Sequence, residues 1–203
     1  MEFLTGIKYP ILVSTFSKGG MGMIVNPKEF DINNLRYIVR SAEEKDAKNL
    51  SEVRLQIDGE TENLERERGE AYIDEEGFKQ IIKNDKESKN NLFLVAEAED
   101  KIVGFSRCVG SILKRNAHKA EFGVCVLKEY WSYGIGRNFL NESIEWADSN
   151  EIKKITLNVL ETNEKAIKLY ERHGFEVEGV LKKDKLLSDG NYYNMILMGR
   201  LMI

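Results

Sequence analysis

The sequence predicts an α/β domain in which helices lie on the faces of a mixed sheet. Short runs with strand-like alternation and segments with helical apolar spacing follow one another along the chain. A strand, a glycine turn and an amphipathic helix occupy residues 121–147 near its middle. The 203 residues, 42% of them apolar, suit one domain with a sizeable core. We therefore expect an N-terminal extension at residues 1–34 and the domain at residues 35–203.

The extension is predicted to contain a hairpin. Apolar runs at residues 11–16 and 21–25 flank the segment Ser17–Lys18–Gly19–Gly20, where glycine supplies the positive φ of a tight turn. Because this stretch is so apolar, we expect it to pack against another surface. It could cover a sheet edge of its own domain or pack on another subunit, which would make a homodimer.

The first half of the domain shows five elements. They are a strand at 35–40, a helix ending at about 57, a helix from about 74 to 84, and hairpin strands at 92–97 and 102–109. Ser41 is the expected N-cap of the first helix, with Glu44 as its capping-box partner. The acidic stretch 58–76 is either a solvated helix and loop or a rim that attracts a cationic acceptor.

The second half alternates strands and helices before a final hairpin. The expected elements are a strand at 121–127, a helix at 135–147, a strand at 154–159, a helix opened by Thr162, and strands at 175–187 and 192–201. Gly174 is well placed to end the helix that Thr162 opens.

Composition argues against several classes of function. A formal charge of −4 gives no reason to expect nucleic acid. Cys108 and Cys125 lie in strand-like runs and are expected to be core thiols, and His118 and His173 are too far apart to suggest a metal cluster. We expect no membrane span and no signal peptide, hence a cytoplasmic protein.

The central strand–turn–helix unit is predicted to hold a phosphate. Gly134 and Gly136 precede a helix, whose first N–H groups lack partners and whose dipole adds partial positive charge. A dinucleotide site is disfavoured because Phe139 stands where a third glycine belongs.

Three segments together resemble the GNAT acetyltransferase superfamily. Residues 131–136 match its signature of Arg or Gln, two residues, Gly, one residue, then Gly or Ala, except that Trp131 replaces the first residue. Residues 161–175 resemble its second signature, with Asn163 and Tyr170 at the usual separation. Residues 189–198 resemble the closing hairpin of ribosomal-protein acetyltransferase-like members. The resemblance implies a mostly antiparallel mixed sheet flanked by helices.

The resemblance also implies an activity and a cofactor site. The acetyl group would move from acetyl-CoA to a primary amine by direct attack in a ternary complex, without a metal. The amine could belong to a small molecule, a protein N-terminus or a lysine. The expected cofactor contacts are the backbone of Val124, Cys125 and Val126, the N–H groups of Ser132, Tyr133, Gly134, Ile135, Gly136 and Arg137, and the side chain of Asn163.

Each of these residues also has a purely structural interpretation. The 124–126 run fits a plain buried strand, Arg137 a solvated helix position, and Asn163 a helix cap. Tyr170 is the expected general acid for the leaving sulfur, or else it packs on the sheet. Glu121 is the candidate general base, although it could hold neighbouring backbone while a water chain takes the proton. A non-catalytic acetyl-CoA sensor or structural module is the alternative function.

Overall fold

The computed structural model describes residues 24–202, which form eight strands and four α-helices. The strands are β1 Lys28–Ile32, β2 Leu35–Ser41, β3 Asn91–Ala98, β4 Lys101–Gly110, β5 Lys119–Val126, β6 Lys154–Leu160, β7 Glu176–Leu186 and β8 Tyr192–Leu201. The helices are α1 Ala47–Glu60, α2 Glu75–Lys86, α3 Ile135–Ser149 and α4 Glu164–Arg172.

All eight strands belong to one sheet, in the order β1-β2-β3-β4-β5-β6-β8-β7. Its neighbours run antiparallel except for β5 and β6, which are parallel. The predicted mixed, mostly antiparallel sheet with flanking helices is therefore confirmed.

Helices cover both faces of the sheet, as contacts of β4 show. Phe105 packs edge-on against Phe78 of α2, at 6.3 Å between ring centroids. Cys108, three residues further along the strand, faces Ser143 of α3. Because side chains alternate along a strand, these two contacts lie on opposite faces. The helix α2 therefore packs on one face and α3 on the other.

Strand β1 lies inside the segment that the sequence assigned to the N-terminal extension. Its five residues pair antiparallel with β2, from Lys28 opposite Val39 to Ile32 opposite Leu35. The alternation of charged and apolar residues in 29–32 is the signal that could have identified it. The predicted hairpin lies outside the described residues, apart from Ile24 and Val25.

The predicted cap of the first helix is wrong. Ser41 is the last residue of β2, and its hydroxyl accepts a hydrogen bond from the N–H of Val25 (2.9 Å). The capping box is formed instead by Glu43 and Asp46, around a 3₁₀ turn that precedes α1. Arg40 binds both carboxylate oxygens of Asp46 (2.7 and 2.8 Å), which holds this turn against the strand.

A second ion pair joins helix α2 to the sheet. The guanidinium of Arg107 on β4 donates two hydrogen bonds to the carboxylate of Asp85, at 2.6 and 2.8 Å. The Asp85 and Arg107 side chains are both buried, and Arg107 also lies over the ring of Phe93. Because both charges are out of water, removing either one would leave its partner uncompensated.

Candidate active site

The site is a cleft that opens where the two parallel strands separate. Residues Lys119–Glu121 of β5 pair with Lys154–Thr156 of β6, and the pairing ends there. Beyond this point a cleft of about 600 Å³ lies between the strands. It is lined by β5, the glycine turn, β6, α4, the loop after α1, and Met195 of β8.

The register of β5 determines which backbone groups face this cleft. The N–H of Leu127 donates to the carbonyl of Val103 on β4 (3.0 Å), and antiparallel pairs alternate between bonded and non-bonded. Residues 123 and 125 therefore direct their backbone groups to β4. Val124 and Val126 direct theirs to the cleft, and their predicted contact with a cofactor stays a prediction. The backbone role predicted for Cys125 does not fit this register; only its side chain is left to line the cleft.

Trp131 closes the end of this open strand edge. Its indole N–H donates to the carbonyl of Val126 (2.8 Å), and its ring lines the cleft while remaining 41% exposed. In the sequence, Trp131 was noted only because it replaces the Arg or Gln of the GNAT signature. Its hydrogen bond leaves the Val126 N–H as the last open group of β5.

The glycine turn presents a row of backbone donors. Ser132 and Gly134 have φ values of 72° and 77°, in the left-handed region. Among the described residues, none accepts a hydrogen bond from the N–H groups of residues 132–137. A Cβ on Gly136 would meet nothing within 4 Å. The start of α3 is therefore an open cradle of the kind that binds phosphate.

Basic side chains line the cleft that contains the cradle. Arg137 folds back over the turn, because its Nη2 lies 3.1 Å from the position of a Cβ on Gly134. Lys165, Lys168 and Arg172 of α4 line the same cleft. This positive charge favours an anionic ligand in the cleft.

Asn163 begins helix α4. Its Oδ1 accepts a hydrogen bond from the N–H of Ala166 (3.3 Å), which makes Asn163 rather than Thr162 the N-cap. Asn163 also lines the cleft. The structural interpretation of this residue is therefore observed, and its cofactor contact stays a prediction.

Tyr170 lies at the floor of the cleft. It is 7% exposed and contacts the rings of Phe122 and Phe175, with centroids 6.4 and 5.8 Å away. Burial, with a smaller contribution from Cys125, raises the pKa of the Tyr170 phenol well above its usual value. The hydroxyl therefore keeps its proton at neutral pH and is available as a hydrogen-bond donor.

Glu121 stands at the point where β5 and β6 separate. Its Oε1 accepts a hydrogen bond from Nδ2 of Asn158 on β6 (3.2 Å). Asn158 lines the cleft, and Glu121 does not belong to the lining. The amide therefore stands between this carboxylate and the cleft. Sequence reasoning missed Asn158, because only the register of two distant strands brings it beside Glu121.

The opposite wall comes from the predicted acidic stretch, whose carboxylates have different roles. Asp58 is buried against Arg54, at 2.7 Å. Glu60 and Glu62 accept hydrogen bonds from the backbone N–H groups of residues 128 and 188. Glu65 lines the cleft. A single residue of the stretch, rather than a continuous rim, thus places negative charge within it.

Within residues 24–202, no helix is long and apolar enough to cross a membrane. In the same range, no three side chains of His, Cys, Asp or Glu are grouped to hold a metal ion.

Comparisons with known proteins agree with this geometry. Residues 57–175 match the acetyltransferase (GNAT) family. Over 108 residues the chain is 34% identical to an L-amino acid N-acetyltransferase of Escherichia coli K12, covering 53% of this chain and 66% of that protein, just under two thirds of its length. A GNAT-family acetyltransferase from Streptococcus pneumoniae has a similar structure, with a TM-score of 0.78, 29% identity, and coverage of 82% of this chain and 99% of that one.

A ribosomal-protein-alanine N-acetyltransferase from Brucella melitensis is also similar in structure. The TM-score is 0.71 at 25% identity, and the match covers 81% of this chain and 99% of that chain. The family match, the fold and the cleft all agree, and the chain belongs to the GNAT acetyltransferase family.

Proposed function

We propose that this protein is an N-acetyltransferase that moves an acetyl group from acetyl-CoA to a primary amine by direct attack in a ternary complex. The main supporting observation is the separation of β5 from β6 after Glu121. The edge of β5, the glycine turn and Tyr170 all line the cleft that opens there, which supports the proposal. We further expect the protein to act in the cytoplasm.

The residues of the cleft fit acetyl-CoA. The pantetheine arm carries amide groups, which could pair with the open backbone of Val124 and Val126 as an added strand would. The pyrophosphate suits the N–H groups of residues 132–137, and the cations of α3 and α4 suit its charge. Asn163 would donate a further hydrogen bond. When bound, acetyl-CoA supplies the acetyl thioester.

Groups of the protein would then stabilise the negative charge that develops during acetyl transfer and would move the protons. The N–H of Val126 would donate to the acetyl oxygen as negative charge develops there. Tyr170 would give its proton to the departing sulfur. An amine must lose its proton before attack, since a lysine-like amine titrates near pKa 10.4. Glu121 is the proposed base, through a bridging water.

For the acceptor we propose an α-amine, either of an amino acid or of a protein N-terminus. The proposal is supported by two relatives, one named as an L-amino acid N-acetyltransferase and one as a ribosomal-protein-alanine N-acetyltransferase. The carboxylate of Glu65 in the cleft would attract the ammonium form before deprotonation. A cationic small molecule, which the acidic stretch also suggested, belongs in the same screen.

The test is thiol release from acetyl-CoA with four amines: L-alanine, an alanyl tetrapeptide, spermidine and Nα-acetyl-lysine. We expect release with one or more of them. In Tyr170→Phe, kcat should fall about 100-fold or more, the usual contribution of an acid catalyst, while the Kd of acetyl-CoA is unchanged. Tyr193→Phe is the matched control, because its hydroxyl binds Asp189 in the β7–β8 turn.

Two results would contradict the proposed function. Full activity of Tyr170→Phe would remove the general acid from the mechanism. Tight binding of acetyl-CoA without thiol release for any amine would favour the non-catalytic sensor instead.

A further inference from the structure

The hydroxyl of Tyr37 lies beneath the glycine turn, although β2 is three strands away from β5 in the sheet. It donates a hydrogen bond to the carbonyl of Tyr133 (3.1 Å) and accepts one from Nδ2 of Asn138 (2.7 Å). Tyr37 is 2% exposed and Asn138 is 5% exposed. These bonds therefore join β2, the turn and helix α3 inside the core.

The direction of both hydrogen bonds is determined by the groups present. A phenol has one proton, and an amide nitrogen can only donate. Asn138 donates to the phenol oxygen, so the phenol proton goes to the carbonyl of Tyr133. Burial raises the pKa of Tyr37, which keeps this donor protonated at neutral pH.

The bond to Tyr133 also orients the next amide. The described chain has no cis peptide, and in a trans peptide the C=O and the following N–H point in opposite directions. Holding the Tyr133 carbonyl towards the core therefore directs the N–H of Gly134 away from it. Gly134 lines the cleft, so this N–H faces the cradle.

Strand β1 packs against the same turn. The ring of Phe30 stacks on Tyr37, with centroids 5.4 Å apart and planes at 24°. Cδ1 of Ile32 lies 2.9 Å from the position that a Cβ on Gly134 would occupy. The β1–β2 hairpin thus supports the turn from beneath and limits how it can move.

We propose that Tyr37 is a positioning residue for cofactor binding, which aims the Gly134 N–H at the pyrophosphate of the acyl-CoA through the Tyr133 carbonyl. This inference rests on the proposed function, because it takes an acyl-CoA as the ligand of the turn. Tyr37 is not part of the cleft lining, so it acts only through the turn.

Two variants remove the orienting bond in different ways. Tyr37→Phe deletes the hydroxyl. Asn138→Asp keeps the size of the side chain but replaces the donor with an acceptor, which competes with Tyr133 for the phenol proton. Tyr72→Phe is the matched control, because the hydroxyl of Tyr72 binds Ser51 (2.8 Å), outside the turn.

The readout compares CoA with pantetheine, which lacks the pyrophosphate. Titration followed by tryptophan fluorescence, to which Trp131 in the cleft lining contributes, should show that both variants weaken CoA binding by about 3–10-fold, as expected for one hydrogen bond. Pantetheine binding should stay unchanged. Tyr72→Phe should bind both probes as the wild type does.

Three outcomes separate the possibilities. Unchanged CoA affinity in Tyr37→Phe overturns the positioning role. An equal loss for CoA and pantetheine also overturns it, because it indicates a general loosening of the domain. Failure of the wild-type protein to bind CoA at all would instead overturn the proposed function.

Discussion

Replacing Gly136 with alanine should raise stability and weaken cofactor binding at the same time. Gly136 is the second residue of α3, its φ is not in the left-handed region, and an added Cβ would meet nothing within 4 Å. Alanine is favoured over glycine by about 1 kcal/mol in a helix interior, and we expect about half of that in the first turn. For a protein of this size, about 0.5 kcal/mol raises Tm by about 1–2 °C.

The same methyl group would occupy the cradle. Glycine there allows a phosphate to approach the backbone closely, and a Cβ at that position would keep it at van der Waals distance. Lengthened bonds to two or three amides should cost about 1.4 kcal/mol or more, which is about a tenfold rise in the Kd of acetyl-CoA.

Calorimetry with and without acetyl-CoA measures both effects in one variant. Gly134→Ala is the informative comparison, because Gly134 has a φ of 77° and its Cβ would lie 2.9 Å from Ile32. This variant should lose about 1–2 kcal/mol of stability from the left-handed backbone alone. If Gly136→Ala bound acetyl-CoA as tightly as the wild type, the turn would not be the pyrophosphate site.

Three further predictions concern stability and pH. Asp85→Ala should lower the free energy of unfolding by about 3–5 kcal/mol, because it leaves Arg107 buried without its partner; urea unfolding measures this, and a loss below about 1 kcal/mol would show that the pair contributes little. The raised pKa of Tyr170 means that its contribution to stability is complete below about pH 10 and is lost as the pH rises further. Between pH 8 and pH 11 the free energy of unfolding should therefore decrease less steeply with pH in Tyr170→Phe than in the wild type. Equal slopes in the two proteins would contradict the raised pKa of Tyr170. Glu121→Gln should flatten the acidic limb of the pH–rate profile, and an unchanged profile would exclude Glu121 as the base.

Elements with strong local signals were predictable from the sequence. The periodic apolar residues of α3 and the turn residues before β8 predicted both elements to within a few residues of their observed bounds. Ser41 misled the prediction, because it stays in β2 opposite Leu94 of β3 and its hydroxyl binds the N–H of Val25. These partners are distant in sequence, so no local pattern at Ser41 contains them.

The residues of the candidate site also fall into two groups, those predictable from local motifs and those that are not. The glycine turn and Tyr170 follow from short motifs, because a motif places its residues within one strand–turn–helix unit. Asn158 and Tyr37 became visible only with the sheet register, since each meets its partner across at least 30 residues of chain. Sequence reasoning therefore found the groups proposed to contact the cofactor and missed those that orient them.

The arrangement of β5 explains how one strand could be both part of the scaffold and part of the proposed binding site. Seven residues of β5 keep their pairing with β4, up to Val126 opposite Gly104. Their backbone is therefore held in ladder geometry even where β6 has separated. The N–H of Val126 on the free edge is fixed in direction by bonds on the other edge, and needs little reorganisation when a ligand pairs with it. A loop could present the same donors, but it would have to be ordered on binding. We infer that the early separation of β6 is the feature on which the proposed activity depends, because closing the sheet would bury the very groups that bind.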